Sequence, residues 1–446
     1  MTYDRIVELV KKITADLGIT EYELYYDSSS NMGCETFQQE IDSFTNATSC
    51  SMQMRVVKDG KMGVAMTELV SESEIEALVA RAVENATVTE NDDKPLLYAG
   101  GAEYKQVPDC PDNNVTAAEL KAFALDGAKV LYGTDERMSD GTACAAEVWS
   151  SEEHILNSNG LNLSRKGSGI VTYLMAAMNN GTEKQMDYKL YRVGLDEVDC
   201  QAEAKEIADA AASKFGAGAV KTGNYDIVFD CKSLMQILGT FLGAFYADNV
   251  QKGLSPLSKD KLGTAIASSK VTITDDPFFP GNNLQMSFDG EGVPTYTKNI
   301  IENGELKLFL HNLTTALKDG VQSTGNGQRS GAKITTGYSN LFIQPGTVSK
   351  DELLAMADGG VYVTEMKGFH AGADLTTGDF SIESAGFMIE GGKVGRAVKS
   401  FTVAGNFFDM LKGIEELDNN MDTTGHAYRR IMCPDVLVRG MTVAGE

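Results

Sequence analysis

Histidine is scarce in this chain: four in 446 residues, at His154, His311, His370 and His426. No two are spaced as ligands on one helical face, so a zinc site, which needs three or four convergent donors, has no local signature. There is no GxSxG nucleophile elbow, and no phosphate loop, because no GK[ST] follows the glycine-rich stretches. Cysteine pairs are missing too. Cys34, Cys50, Cys110, Cys144, Cys200, Cys231 and Cys433 are scattered, odd in number and without a CxxC, which argues against a disulfide framework and for reduced, buried thiols. No apolar run approaches the ~20 residues of a membrane-spanning helix. The opening "MTYDRIVELVKKITADLG" lacks the apolar core of a secretory signal. Positive charge is short, with 39 Lys and Arg against 63 Asp and Glu and a net charge of −24. That balance repels phosphate backbones and anionic lipid. The expectation is a cytoplasmic protein with neither nucleic acid nor membrane as a partner.

What is present suits an ordered chain. Hydrophobic residues make up 42% and charged residues 23%, enough apolar surface for a large core, and the length fits two or three domains. A first helix, from about Tyr3 to Leu17, stops at Gly18, a residue suited to a left-handed cap. Strand-like runs follow: "EYELYY", "CSMQMRVV" and "KMGVAMTE", the last two joined by an Asp59-Gly60 hairpin turn. Ser71 with Glu74, and Thr116 with Glu119, have the spacing of capping boxes and open two helices. Residues 88–115 carry no periodicity and hold Pro95, Pro108 and Pro111, as a long connection would. Strands return across 140–192, with "NSNG" at 157–160 as a turn, and "CQAEAKEIADAAASKFG" supplies a fourth helix. Helix, strands, helix thus occurs twice, the pattern of an internal duplication.

The small, flexible "GAGAVKTG" at 216–223 marks a boundary. After it come a strand, "NYDIVFD", and the apolar helix "MQILGTFLGAF" from Met235 to Phe245, then short strands with turns at "ENGE" (302–305) and "EGGK" (390–393). Two short helices are expected among them, one capped by Ser349 and Glu352 and one covering "NFFDMLKGIEELDN"; "DVLVRGMTVAG" is the last strand. The fold class is α+β: an N-terminal domain of helices on antiparallel strands (1–216) and a β-rich C-terminal domain with a few helices (224–446).

Chemistry-bearing clusters are few. Asp275-Asp276 and Asp289/Glu291 adjoin Pro277 and the glycines Gly290 and Gly292, where turn formation accounts for them better than acid–base work. The richest loop is "STGNGQRSG" (323–331). Its glycines allow close approach, and Arg329 has the forked donors to hold a carboxylate or a carbonyl. Asn326 and Arg329 are the candidate peptide-binding residues, although a structural turn is the commoner role for such a loop.

Three blocks, in order, resemble the TldD/PmbA family: "DGEGVPTYTKNIIENGELKLFL" (289–310), "STGNGQR" (323–329) and "TEMKGFHAGADLTTGDFSIESAGFMIEGGKVGRAVKSFTVAGNFFDML" (364–411). The family, once labelled modulators of DNA gyrase, is metallopeptidase-related. Its TldD branch carries HExxxH on the helix after the first strand of the C-terminal domain; its PmbA branch, also called TldE, lacks it. Laid on that motif, the helix here reads Gly239-Thr240-Phe241-Leu242-Gly243-Ala244. Both histidine positions are empty, at Gly239 and Ala244, and Thr240 replaces the general base. The family's cysteine ligand has no match either, Cys433 lying too late, before Pro434. The resemblance therefore implies a PmbA-type subunit with no catalytic and no metal-binding residue of its own. Its expected partner is a TldD-type chain that holds zinc, and the expected substrates are unfolded or modified peptides. Two alternatives stay open: a non-enzymatic peptide-binding or scaffolding homodimer, and a self-standing hydrolase with an unrecognised site.

Overall fold

The computed structural model describes residues 1–90, 93–108, 110, 113–280, 284–421 and 431–446. The chain begins with α1 (Tyr3–Asp16), β1 (Glu21–Phe37), β2 (Glu40–Lys58), β3 (Lys61–Thr67) and α2 (Glu72–Val88). The same order follows in α3 (Ala117–Thr134), β4 (Ala143–Asn157), β5 (Asn162–Asn179), β6 (Lys184–Tyr191) and α4 (Cys200–Ser213). The six strands form one antiparallel sheet in the order β3-β2-β1-β4-β5-β6. The two triplets therefore meet at β1 and β4, which pair antiparallel from Glu23↔Asn157 to Glu35↔Ala145.

Local chemistry explains the boundaries. Gly18 ends α1 in the left-handed region (φ 66°), and Asp59 and Gly60 take positive φ in the β2–β3 turn, as a two-residue hairpin requires. Thr116 and Glu119 form the full capping box on α3, whereas at α2 only Ser71 caps, accepting from the Glu74 amide. The helix α2 runs one residue into the expected connection, to Val88, and 89–115 carries no helix or strand among its described residues. β1 and β2 run far beyond the apolar segments that announce them. Residues 27–49 continue both strands through a serine- and threonine-rich arm whose outer part, 40–49, is exposed. Alternation is absent from 40–49 because neither face is buried there and the ladder itself sustains the strand, whereas Cys34 and Thr36 of β1 are buried.

The sheet has two distinct faces. Leu24, Met52 and Met54 pack with α1 and α2, and Cys144 and Leu174 pack with α3 and α4. The opposite face presents Glu23, Tyr25, Gln53, Trp149 and Arg165 to loops from the second half of the chain. Close packing on the helical side is strict at Gly63, where an added Cβ would stand 2.0 Å from the Ala82 carbonyl oxygen.

The second half contains β7 (Gly223–Phe229), α5 (Cys231–Phe241), α6 (Ala247–Gln251), β8 (Ile273–Asp275), β9 (Lys298–Glu302) and β10 (Glu305–Leu306). Next come α7 (Leu313–Asp319), β11 (Gly327–Ser330), β12 (Lys333–Thr336), β13 (Leu341–Ile343) and α8 (Lys350–Met356). Then come β14 (Val361–Lys367), α9 (Phe369–Gly372), β15 (Asp379–Glu390) and β16 (Lys393–Asn406). The chain closes with α10 (Phe407–Lys412), β17 (Ile414–Leu417), β18 (Ile431–Met432) and β19 (Val436–Ala444). One sheet runs β16-β15-β14-β7-β19-β17, and a further β16–β19 pairing draws it into a barrel-like closure; a second runs β10-β9-β8-β13-β18. The α+β class holds throughout. Two expectations need correction. "NFFDMLKGIEELDN" is a helix only to Lys412, after which Ile414–Leu417 pairs with β19 as a strand. Short helices are also more numerous than two, since α6, α7 and α9 interrupt the strands as well.

The Gly63 geometry makes a testable statement about how α2 is held. A Gly63→Ala substitution meets backbone rather than a yielding side chain, and is expected to cost on the order of 1–3 kcal/mol. A lowered melting temperature in thermal denaturation checks it, and an unchanged one contradicts the close contact.

Candidate functional site

The two loops singled out in the sequence, 289–293 and 323–331, lie together against the open face of the N-terminal sheet. Asp289 nucleates its turn: Oδ1 accepts from the amides of Glu291 (2.8 Å) and Val293 (3.0 Å), and Oδ2 accepts from the Gly327 amide at 2.7 Å. Glu291 Oε2 accepts from the Leu313 amide at 2.8 Å, at the start of α7. Gly290 and Gly327 approach so closely that the Gly290 amide donates to the Gly327 carbonyl at 2.7 Å. A Cβ on Gly327 would lie 2.6 Å from Glu291 Oε2.

Arg329 bridges this loop pair to the sheet. Its Nε donates to the Gly290 carbonyl at 2.7 Å, one terminal nitrogen donates to Gln53 Oε1, and the other meets Glu23 Oε1 at 2.5 Å. The guanidinium also lies over the Tyr25 ring, 4.4 Å from its centroid. Glu23 is shared, since Arg55 reaches the same oxygen at 3.0 Å. Beside it, Arg165 pairs with Glu153 at 2.5 Å and donates to the Phe288 carbonyl at 2.8 Å. Asn326 sits in a second buried set, donating to Asp275 Oδ2 (2.8 Å) and the Gly337 carbonyl (2.9 Å) and accepting from Lys298 Nζ (3.1 Å). Lys298 and Asp275 form an ion pair at 3.3 Å with side chains 1% and 0% exposed.

Electrostatics follow from burial. Burial alone would raise the Glu23 carboxyl, but Arg329 and Arg55 together outweigh it and hold it below the ordinary carboxylate range. Glu291 and Asp289 go the other way. Burial raises both, and for Glu291 the neighbouring Asp289 charge adds to it. The pair therefore keeps a proton in a range where an exposed carboxyl has lost its own.

The structure places Asn326 and Arg329 inside this junction, every polar group of their side chains engaged by the chain itself. As the molecule stands, neither offers an unoccupied polar edge to a peptide. Turn formation accounts for Asp289, as the sequence suggested, but Asp275 is a strand residue whose charge is matched by Lys298. Sequence reasoning missed Glu23, Arg55 and Arg165, charges within strands. Only Arg55, in the otherwise uncharged "SMQMRVV", gave a signal; Glu23 follows Glu21 by two residues and Arg165 adjoins Lys166 in a polar stretch.

The helix "MQILGTFLGAF" is α5, followed by a 3₁₀ turn over Leu242–Phe245. Its inner face (Leu234, Ile237, Leu238, Phe241) joins the main core, and Phe241 stacks on Phe407 with centroids 4.9 Å apart. The three motif positions supply no metal donor. Gly239 has no side chain, Ala244 is a buried methyl, and the Thr240 hydroxyl donates to the Gln236 carbonyl at 2.8 Å. Glycines in an apolar helix commonly let a neighbouring backbone pack closely, but neither of these does. A Cβ on Gly239 would press on Ile431 Cδ1 and one on Gly243 on Asn249 Nδ2, each at 3.1 Å. Cys433 is buried in the same apolar core. His154 stacks on Tyr3 at 3.9 Å in the N-terminal half, His311 is buried beside Thr324, and His370 is exposed in α9. His426 lies outside the described residues. Among the described residues no three His, Cys, Asp or Glu converge as a metal would need, so the residues present do not fit the zinc site that the fold family implies.

Comparison with known proteins gives the class. Residues 222–445 match the PmbA/TldA metallopeptidase C-terminal domain, 22–86 match domain 1 and 110–215 the central domain. The chain belongs to the PmbA/TldD metallopeptidase family. Among curated relatives, the Escherichia coli O157:H7 metalloprotease PmbA is 25% identical over 434 residues, covering 95% of this chain and 92% of that one. A Thermotoga maritima crystal structure described as a modulator of DNA gyrase is 29% identical, covers 99% of this chain and 100% of its own, and superposes with a TM-score of 0.88. TldE from Thermococcus kodakarensis shares the fold at a TM-score of 0.86 and 23% identity, with 99% of each chain covered.

Two outcomes follow from the junction. Arg329→Met leaves the buried Glu23 charge to Arg55 alone and should cost about 1.5–3 kcal/mol, as loss of a charge-assisted hydrogen bond does; urea unfolding measures it, and a change under about 1 kcal/mol contradicts the bridge. The second concerns pH. A carboxyl raised in the folded state, as Glu291 is, gives stability that is complete below its unfolded pKa and is lost as pH climbs through the folded one. Stability should therefore fall from about pH 4.5, the ordinary glutamate value, up to about pH 8, above the range in which the lowered Glu23 titrates. Asp230, pushed up to about 7 mainly by burial, adds to the same slope, so Glu291→Gln should flatten the melting-temperature profile without levelling it. An unaltered profile contradicts the protonated pair.

Proposed function

We propose that this chain is the PmbA/TldE-type subunit of a two-chain cytoplasmic metallopeptidase acting on unfolded or modified peptides, with zinc held by a TldD-type partner. The observation that carries the reading is α5: the family's fold is complete, and the positions of its metal motif, Gly239, Thr240 and Ala244, hold no donor. On this reading α5 is the vestigial counterpart of the HExxxH helix, and 1–216 and 224–446 are the two structural units. The chain closes the peptide cavity and fixes the partner. Asn326 and Arg329 serve peptide binding through the shape of the loop they hold, not by touching the peptide. No described helix is long and apolar enough to cross a membrane, which accords with such a role.

Purification of the chain alone, without a metal-affinity tag, tests the reading. Elemental analysis should find far less than one zinc per chain, and unstructured peptides should stay intact. Adding a TldD-type chain should give a stable complex and chelator-sensitive peptide cleavage. A full equivalent of zinc in the isolated chain, or cleavage by it alone, contradicts the proposal in favour of a self-standing hydrolase.

A further inference from the structure

The N-terminal sheet treats its edges unequally. A bare strand edge offers a row of amides and carbonyls to any other strand, and proteins block it with lysine, proline, a bulge or a covering element. On β6 the Met186 carbonyl accepts from Lys214 Nζ at 2.8 Å and the Tyr188 carbonyl accepts from Lys232 Nζ at 3.4 Å. On β3, only seven residues long, the Val64 carbonyl accepts from Asn85 Nδ2 of α2 at 2.8 Å.

The β1–β2 arm has none of these devices. β3 pairs with β2 only from Met52 to Lys58, so among the described residues β1 alone pairs with 40–49. That stretch, "EIDSFTNATS", is exposed throughout and holds no Pro, Lys or Arg. Its register with β1 slips only near the tip, between Glu35 and Thr36, and from Ser43 to Ser49 the ladder is regular. The free edge is therefore long and unbroken. Two large apolar residues stand on it, Ile41 and Phe44, each 38% exposed.

The order of residues along this edge complements a second copy of itself running the other way. With Phe44 on a two-fold axis perpendicular to the sheet, the two phenylalanines stand directly opposite, as a stabilising cross-strand pair does. Ile41 of one copy then faces Ala47 of the other, Asp42 faces Asn46, and Glu40 faces Thr48. Apolar meets apolar, and each carboxylate meets a neutral donor. A slip of one residue would set the helical face of one sheet beside the open face of the other. A slip of two would set Phe44 against Asn46 and Ile41 against Ser49. Parallel pairing in register would stack Glu40 on Glu40 and Asp42 on Asp42, and like charges directly opposite are unfavourable.

We propose that the free edge of β2, residues 40–49, is a docking surface for a second copy of this chain, the two arms pairing antiparallel about Phe44 and joining two six-stranded sheets into one. The pairing needs no other chain, so it can fail while the family reading survives. Sedimentation velocity of the full chain between about 1 and 100 µM should show a dimer whose share grows with concentration, the affinity of a modest interface. Asn46→Asp places two like-charge pairs across the axis and should weaken the dimer about tenfold, while Asn46→Lys places two opposite-charge pairs there and should strengthen it by a similar factor. Asn162→Lys, the same charge change at an exposed position of β5, should leave the dimer as it was. Position 46 is exposed, so its variants should fold, and melting temperature checks this. A monomer throughout the range, or a dimer indifferent to Asn46→Asp, would overturn the proposal. Equal strengthening by Asn162→Lys and Asn46→Lys would overturn the register.

Discussion

One buried anion organises the molecule. The Glu23 carboxylate, 1% exposed on the third residue of β1, is held by Arg55 from the next strand and by Arg329 from a hairpin more than 300 residues later in the chain. A buried ion pair adds little net stability compared with apolar residues of the same volume, but it punishes every arrangement that leaves one member alone. Here that penalty fixes how the loops of the second half lie on the open face of the first. With Arg329 anchored, its backbone hairpin brings Gly327 to Asp289 and Glu291, and Glu291 in turn receives the start of α7. The helical face of the sheet is held chiefly by apolar packing, with Lys189 and Tyr191 of β6 on Glu203 of α4 as a polar edge.

The same division explains what could be read from the residues in advance. Local chemistry announced the local structure: Gly18 stops α1, Asp59-Gly60 makes its hairpin, and Thr116 with Glu119 caps α3. The twofold recurrence of helix, three strands, helix was legible from spacing. The β1–β2 arm was not, because exposed strands lose the alternation that betrays half-buried ones. The strand Ile414–Leu417 was hidden because a helical start, Phe407–Lys412, leads directly into it and only pairing with β19 decides the outcome.

The candidate site was half legible. The glycine-rich loops stood out, but the role of Arg329 depended on Glu23, Gln53 and Tyr25, partners that no spacing rule connects to it. The proposal that α5 is a vestigial metal helix comes only through the family resemblance, since an apolar helix with two glycines is ordinary by itself.

The fold of a metallopeptidase and the chemistry of one are thus separable. The core beneath α5 is complete, with Phe241, Phe407 and Leu238 closely packed, and nothing in that packing depends on a metal. On the proposed reading, what was lost is a set of donors and what was kept is the scaffold. Native mass spectrometry of this chain assembled with a TldD-type partner tests that separation most directly. The account predicts a complex of one copy of each chain with zinc that stays with the partner when the two are dissociated in the gas phase. Zinc departing with this chain would contradict it.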